Sequence, residues 1–260
     1  MTVVKTLSGC DAVIGLTCLG DELFILHERD DNQVEVYSAE TYPALRQFTV
    51  HGLVKHFFHD MISCAQLNCL YISDPDNSCI HKSKPSGEVI AKWPLSAAPY
   101  GLSLTPSNNI LVICPDSCKL LELCSESGKC IRQVQLQSDI RYLMHAIQLT
   151  AQYYFLSYTD GDKLARVCVV DVDGQVSPSY GRHPGFDVTQ LNGLYHMTTD
   201  QHNFIFVGDI EKHRVVLLSP SLELVRHIDL QQEPIKLYLD RVTRRLYVGH
   251  QSGDVTIIQV

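Results

Sequence analysis

Three features of the amino-acid sequence predict an all-β protein: a six-bladed β-propeller of four-stranded antiparallel blades, its ring closed by the N-terminal strand completing the last blade. A short apolar run recurs six times along the 260 residues. Each run leads through a polar loop into a second strand-like segment. The last repeat stops one strand short, while the first residues read as a strand.

The six runs begin at Leu23, Leu70, Ile110, Tyr154, Ile205 and Leu246, at spacings of 47, 40, 44, 51 and 41 residues. A period in the forties built from strand-length units is the pattern of stacked β-sheets, one blade per repeat. After each run comes a loop such as DPDNSC or YTDGDK, then a β-branched or aliphatic segment such as Val34-Glu35-Val36-Tyr37, Val167-Cys168-Val169-Val170 or Val215-Val216-Leu217-Leu218. These compositions favour strands. Asp-Gly, Ser-Gly and Ser-Pro steps then mark turns, and outer strands such as Ile131-Arg132-Gln133-Val134 follow. Val3-Val4-Lys5-Thr6-Leu7 supplies the strand missing after Val260, and pairing the two ends removes exposed edges. The expected blades span roughly 9–50, 51–95, 96–137, 138–182, 183–230 and 231–260 with 1–8, in one domain.

A hydrophobic share of 45% against 19% charged residues is that of a globular chain, not a disordered one. No stretch approaches the roughly 18 uninterrupted apolar residues of a membrane span. MTVVKTLSGCDAV lacks the apolar core of a secretory signal, so a soluble, cytoplasmic protein is expected. A net charge of −8 weighs against nucleic acid, whose binding draws on Lys and Arg neutralising phosphates. Cys64/Cys69, Cys114/Cys118 and Cys124/Cys130 flank short turns, but no CxxC occurs, so the usual zinc spacing is missing. The ten cysteines therefore read as small buried hydrophobes of a reduced protein, with no cofactor.

In a propeller, the loops joining second to third strands share a face with the loops crossing between blades. Those loops carry Asp30, Asp31, Asp74, Asp76, Asp116, Asp160, Asp162, Asp209 and Asp254, with Glu28 and Glu211, against six basic residues. Such a face steers basic partners and repels polyanions. The crossing SYGRHPGFDVTQLNG at 179–193 explains the longest spacing, and its Arg182, His183 and Phe186 are candidate interface residues. Tyr100, Arg141 and Tyr142, near the starts of inner strands, are expected at the mouth of the central channel. With Asp74, Asp76, Asp160, Asp162, Asp209 and Arg214 they form the expected partner-binding set. The stretch DIEKHR at 209–214 reads as turn punctuation, not as a catalytic group, because Asp74, Asp116 and Asp254 occupy corresponding loops. On the opposite face, Arg241, Arg244 and Arg245 sit on one hairpin and are candidates to hold a phosphate or an acidic peptide.

Pro99-Tyr100-Gly101-Leu102 with Asn109-Ile110-Leu111-Val112, and Asn192-Gly193-Leu194 through Val207-Gly208-Asp209 to His213-Arg214-Val215, resemble NHL repeats. The likeness is strongest in repeat five and weakest in repeats one and four. It implies a non-catalytic propeller that binds a protein or peptide, and the acidic loops favour a partner of basic character. In tripartite-motif proteins of this kind the propeller selects the substrate of a ubiquitin ligase. The same resemblance leaves single-stranded RNA as an alternative, which the acidic loops disfavour. A calcium-dependent lactonase-like propeller is the second alternative. It needs axial oxygen ligands, for which the inner strands offer Asn192, with Asp139, Asp187 and Glu233 nearby in sequence. The histidines do not read as recurring at one repeat position, and no G-x-S-x-G or H-E-x-x-H occurs. The segment LDRVTRRLYVGHQSGDVTI also resembles the YWTD propellers of receptor ectodomains, without the YWTD motif itself.

Overall fold

The structure is a computed structural model and describes every residue except 30, 31, 55, 138, 139, 160–164 and 181–190; of residues 141, 178, 179, 194 and 195 it describes the backbone. The chain opens with β1 (Thr2–Leu7) and then lays down six sheets in sequence. Blade one holds β2 (Val13–Leu19), β3 (Glu22–His27), β4 (Gln33–Ser38) and β5 (Ala44–Thr49). Blade two holds β6 (Met61–Cys64), β7 (Cys69–Asp74), β8 (Cys79–Ser83) and β9 (Val89–Pro94). Blade three holds β10 (Leu102–Leu104), β11 (Ile110–Cys114), β12 (Lys119–Leu123) and β13 (Cys130–Gln135), with a 3₁₀ turn at Pro115–Ser117. Blade four holds β14 (Arg141–Gln148), β15 (Tyr153–Thr159), β16 (Ala165–Asp171) and β17 (Val176–Tyr180). Blade five holds β18 (Leu194–Thr199), β19 (Ile205–Asp209), β20 (Arg214–Leu218) and β21 (Leu224–Asp229). Blade six holds β22 (Pro234–Asp240), β23 (Arg245–His250) and β24 (Val255–Gln259), and β1 pairs with β24 as its outer strand.

The apolar runs are the second strands. β7, β11 and β19 are buried along their whole length, because each lies between two neighbouring blades and meets apolar side chains on both faces. Strands covered on both faces read as continuous apolar runs, not as alternation. Outer strands have one wet face, and β5 and β21 are largely exposed. Six apolar clusters fill the six junctions between blades. Phe24, Leu26, Leu70 and Ile72 pack between blades one and two, and Phe206, Leu217, Leu239 and Leu246 between blades five and six. The ten cysteines are free thiols, six of them buried in these strands. Burial pushes the Cys79 thiol up to about 11 and Cys114 to about 12, so both stay protonated at neutral pH.

Ring closure depends on more than the β1–β24 ladder, which runs from Thr2↔Gln259 to Leu7↔Val255. Gly9 N donates to Asp254 Oδ1 at 3.0 Å, and the Gly9 backbone lies directly against Gly253. A Cβ on Gly9 would stand 2.2 Å from the Gly253 carbonyl oxygen, and Gly253 itself has φ +98°. The seam therefore closes only without side chains at these two positions. Gly9→Ala is expected to destabilise the fold by about 1–3 kcal/mol through overpacking. A thermal melt checks this, and an unchanged midpoint would show that the seam does not constrain the ring.

Candidate functional site at the channel

The inner strands converge on the axis, and in four of the six blades a bulge interrupts their pairing with the second strand. Register shifts lie between Val13 and Gly15, between Leu143 and His145, between Leu194 and Met197, and between Pro234 and Lys236. A bulge inserts an extra residue and re-aims the side chains around it. Here bulges flank or contain His145, His196 and Lys236, and all three side chains meet the carboxylate of Asp60, which lies just before β6.

Asp60 is buried; Met61 N donates to its Oδ1 at 3.0 Å, and its other carboxylate contacts come from other blades of the ring. Lys236 Nζ donates to Oδ1 at 3.0 Å and also to the His59 carbonyl at 3.0 Å. Leu102 N donates to Oδ2 at 2.8 Å, and His196 Nε2 to the same oxygen at 3.3 Å. His145 Nε2 stands 3.8 Å from that oxygen and donates instead to the Leu102 carbonyl at 3.0 Å. The two imidazoles lie against each other, centroids 3.9 Å apart and planes tilted by 36°. Gly101 admits them: a Cβ there would press within 2.9 Å of the His145 ring.

The protonation states follow from these contacts. Burial alone would raise the Asp60 carboxyl, but the Lys236 ammonium beside it, with the hydrogen bond from His196, outweighs burial and holds it far below the usual range. Burial pushes both imidazoles down, His145 furthest, with His196 adding to the effect on it and Asp60 opposing. At neutral pH the cluster is a carboxylate, an ammonium and two neutral rings. Asp60, His145 and His196 bring ligand atoms within 4.8 Å of one another, a spacing a divalent metal tolerates. Lys236 is then a resident cation on the same carboxylate, so the donor set fits an internal ion pair better than a metal. A second group, Asp74 with Cys79 and His81, is equally committed: His81 Nε2 donates to Asp74 Oδ2 at 2.8 Å.

Above the ion pair the channel mouth is plugged. Phe57 packs against Ala12, Ile210 and Ile235, and a narrow pocket runs between Phe58, Tyr100, Met144 and Lys236. Phe58 and Tyr100 stack at 4.8 Å and 10°, and the His56 ring tilts against both at 5.5 and 5.8 Å. The underlying loop is held by His59, whose ring is clamped between the Ser73 and Val54 carbonyls, each 2.6 Å from a ring nitrogen. The Tyr100 phenol is raised, first by burial and then by the nearby Asp116 and Asp76 carboxylates. Asp76 stands 3.8 Å from His56 Nε2. A half-buried aromatic platform with two exposed acids at its edge thus rims the mouth.

The residues anticipated from the sequence divide unevenly around this centre. Tyr100 and Asp76 belong to the rim. Tyr142 is 67% exposed with φ +45°, held outward by the irregular start of β14. Arg141 is placed by its backbone only. Asp160, Asp162, Arg182, His183 and Phe186 lie outside the described residues. Asp74, Asp209 and Arg214 correct the expectation of a solvent-facing set: all three are buried. Asp209 accepts from Asn192 N at 2.8 Å and Arg214 Nε at 2.7 Å. Asp74 accepts from Asn77 as well as His81. These turns point their acids inward because each must satisfy the backbone and a polar side chain on the adjoining strand. The calcium set disperses too. The Asn192 side-chain amide donates to Glu211, Glu233 pairs with His213 at 3.7 Å, and Asp139 and Asp187 fall outside the described residues.

Sequence reasoning missed Asp60, His145, His196 and Lys236, although a signal was present. Asp60 precedes Leu70 by ten residues, His145 precedes Tyr154 by nine, His196 precedes Ile205 by nine, and Lys236 precedes Leu246 by ten. Two histidines therefore do recur at one repeat position, contrary to the expectation.

No protein-family profile matches the sequence, and no curated protein sequence aligns with it significantly. Among solved structures, selenomethionine-substituted virginiamycin B lyase from Staphylococcus aureus superposes with a TM-score of 0.66 over 98% of this chain and 99% of that one, at 8% identity. The chain is a six-bladed β-propeller. At that identity the likeness extends to the fold and no further. Among the described residues no helix is long and apolar enough to cross a membrane.

Two outcomes follow for the axial cluster. Lys236→Met leaves Asp60 a buried charge without its cation and is expected to cost roughly 3–5 kcal/mol, much of it recovered in the Asp60→Asn/Lys236→Met double variant; urea unfolding of the set measures this. The histidines give an acid dependence. Their folded-state pKa values lie below the ordinary value near 6.5, so below that pH the unfolded chain takes up protons that the native state refuses. Stability is therefore expected to fall from about pH 6.5 downward. His59, His227 and His250, also held down by burial, add to the same window, and His145→Gln/His196→Gln should make the fall shallower. An equal pH dependence in the variant would exclude the axial pair as its source.

Proposed function

We propose that this propeller is a non-catalytic interaction module whose channel-mouth face binds a protein or peptide through a basic side chain. The observation that carries the reading is the platform of His56, Phe58 and Tyr100 with Asp76 and Asp116 at its edge. An aromatic face attracts a cation through its quadrupole, and adjacent carboxylates add direct attraction. Tyr142, at the start of β14, adds an exposed aromatic ring of a type enriched at binding hot spots. Beneath the rim, Phe57 and the Asp60–Lys236 pair fill the axis, which favours recognition at the surface over chemistry in the channel.

The repeat pattern around Pro99-Tyr100-Gly101 and Val207-Gly208-Asp209 supports an NHL-type assignment. In a tripartite-motif setting the module would select the substrate of a ubiquitin ligase, working in the cytoplasm. The lyase activity named for the structurally similar virginiamycin B lyase remains that protein's own.

The test is capture of partners by the wild-type chain and by Asp76→Lys/Asp116→Lys, whose exposed positions leave the fold intact. Nuclease-resistant protein capture should fall about tenfold or more in the variant, in line with the loss of charge-assisted contacts. Capture that is unchanged by the reversal, or that depends on RNA, would refute the reading.

A further inference from the structure

The face opposite the channel mouth carries a cleft of different chemistry. It lies between blades five and six, where the β18–β19 turn (residues 200–204) faces the β22–β23 turn (residues 241–244). Its volume is about 310 Å³, at the small end of the range for small-molecule sites. The floor is apolar: Phe204, Leu217 and Leu239 belong to the cluster that fills the junction of the two blades. The rim carries three arginines, Arg226, Arg241 and Arg244, against one acid, Asp200.

We propose that this cleft binds a small organic carboxylate with an aliphatic or aromatic body. The carboxylate would meet the guanidinium rim and the body the junction floor. Three observations support the match. The acids are engaged by their own turns: Asp200, which lines the cleft, accepts through Oδ1 from His202 N at 2.8 Å and Phe204 N at 2.9 Å. Asp240 likewise accepts from Val242 N at 2.9 Å and from the Thr243 hydroxyl at 2.6 Å. The cations are less committed. Among the described residues, Arg226 and Arg244 side chains have no ion-pair partner, while Arg241 is anchored across the junction on Thr199 O and Oγ1, both at 3.0 Å. Finally, the turn that presents Arg244 is built in advance. Arg244 sits at φ +56°, and its carbonyl accepts from Val260 N at 3.0 Å and Gln259 Nε2 at 3.2 Å.

Guanidinium forks suit a planar carboxylate better than a lone ammonium would. The buried floor rewards an apolar body, so neither half of the ligand alone should bind well. This site is independent of the channel-mouth reading, since it shares no residue with that rim and favours the opposite charge.

Isothermal titration with octanoate tests it directly, using octanol and inorganic phosphate as the two half-ligands. Saturable binding at one site is expected. It should weaken about tenfold or more in Arg226→Gln/Arg244→Gln, by loss of charged hydrogen bonds, and also in Phe204→Ala. It should be unchanged in Asp76→Lys/Asp116→Lys. Both guanidines are exposed, so the double variant should melt with the parent. Absence of saturable octanoate binding, equal affinity in the arginine variant, or octanol or phosphate binding as tightly as octanoate would each overturn the proposal.

Discussion

The Asp60 carboxylate is met by a backbone amide from blade three, by His196 of blade five and by the Lys236 ammonium of blade six, with His145 of blade four beside it. A charge buried on the axis of a ring has to be compensated from the ring itself, and here one anion of blade two is met from blades three, four, five and six. The bulges in β14, β18 and β22 make this possible by turning side chains out of strict alternation. Gly101 supplies the space for the His145 ring. The β1–β24 ladder and the Gly9–Gly253 contact then hold the ring closed at its seam.

Filling the axis with an ion cluster, and its mouth with Phe57, moves the exposed chemistry to the two faces. At the channel mouth, aromatic rings lie beside Asp76 and Asp116. On the opposite face, guanidines lie beside apolar floor residues. The net charge of −8 averages these surfaces, so it describes neither. Attraction acts over about a Debye length, near 8–10 Å at ordinary salt, and a ligand therefore responds to its local patch and not to the sum.

Much of the fold was legible because two-sided burial imprints itself on local composition. The runs at Leu70, Ile110 and Ile205 are uninterrupted because β7, β11 and β19 are each covered on both faces. The candidate site was less legible. Asp74 and Asp209 look alike from the sequence to any exposed turn aspartate, yet His81 and Arg214 draw them inward. Of the rim, Tyr100 was readable from its place before an inner strand. Its pairing with Phe58 was not, because those rings come from different blade crossings.

By itself the sequence determined the repeat number, the four-stranded unit and the closing role of the first strand, since all three depend on periodic apolar patterning and turn residues. Only the tertiary structure decided which polar residues reach the axis and which reach solvent. Those outcomes turn on bulges of single residues and on approaches between glycine backbones and neighbouring rings. Such contacts join positions as far apart as Asp60 and Lys236, and no local pattern encodes a distance between them.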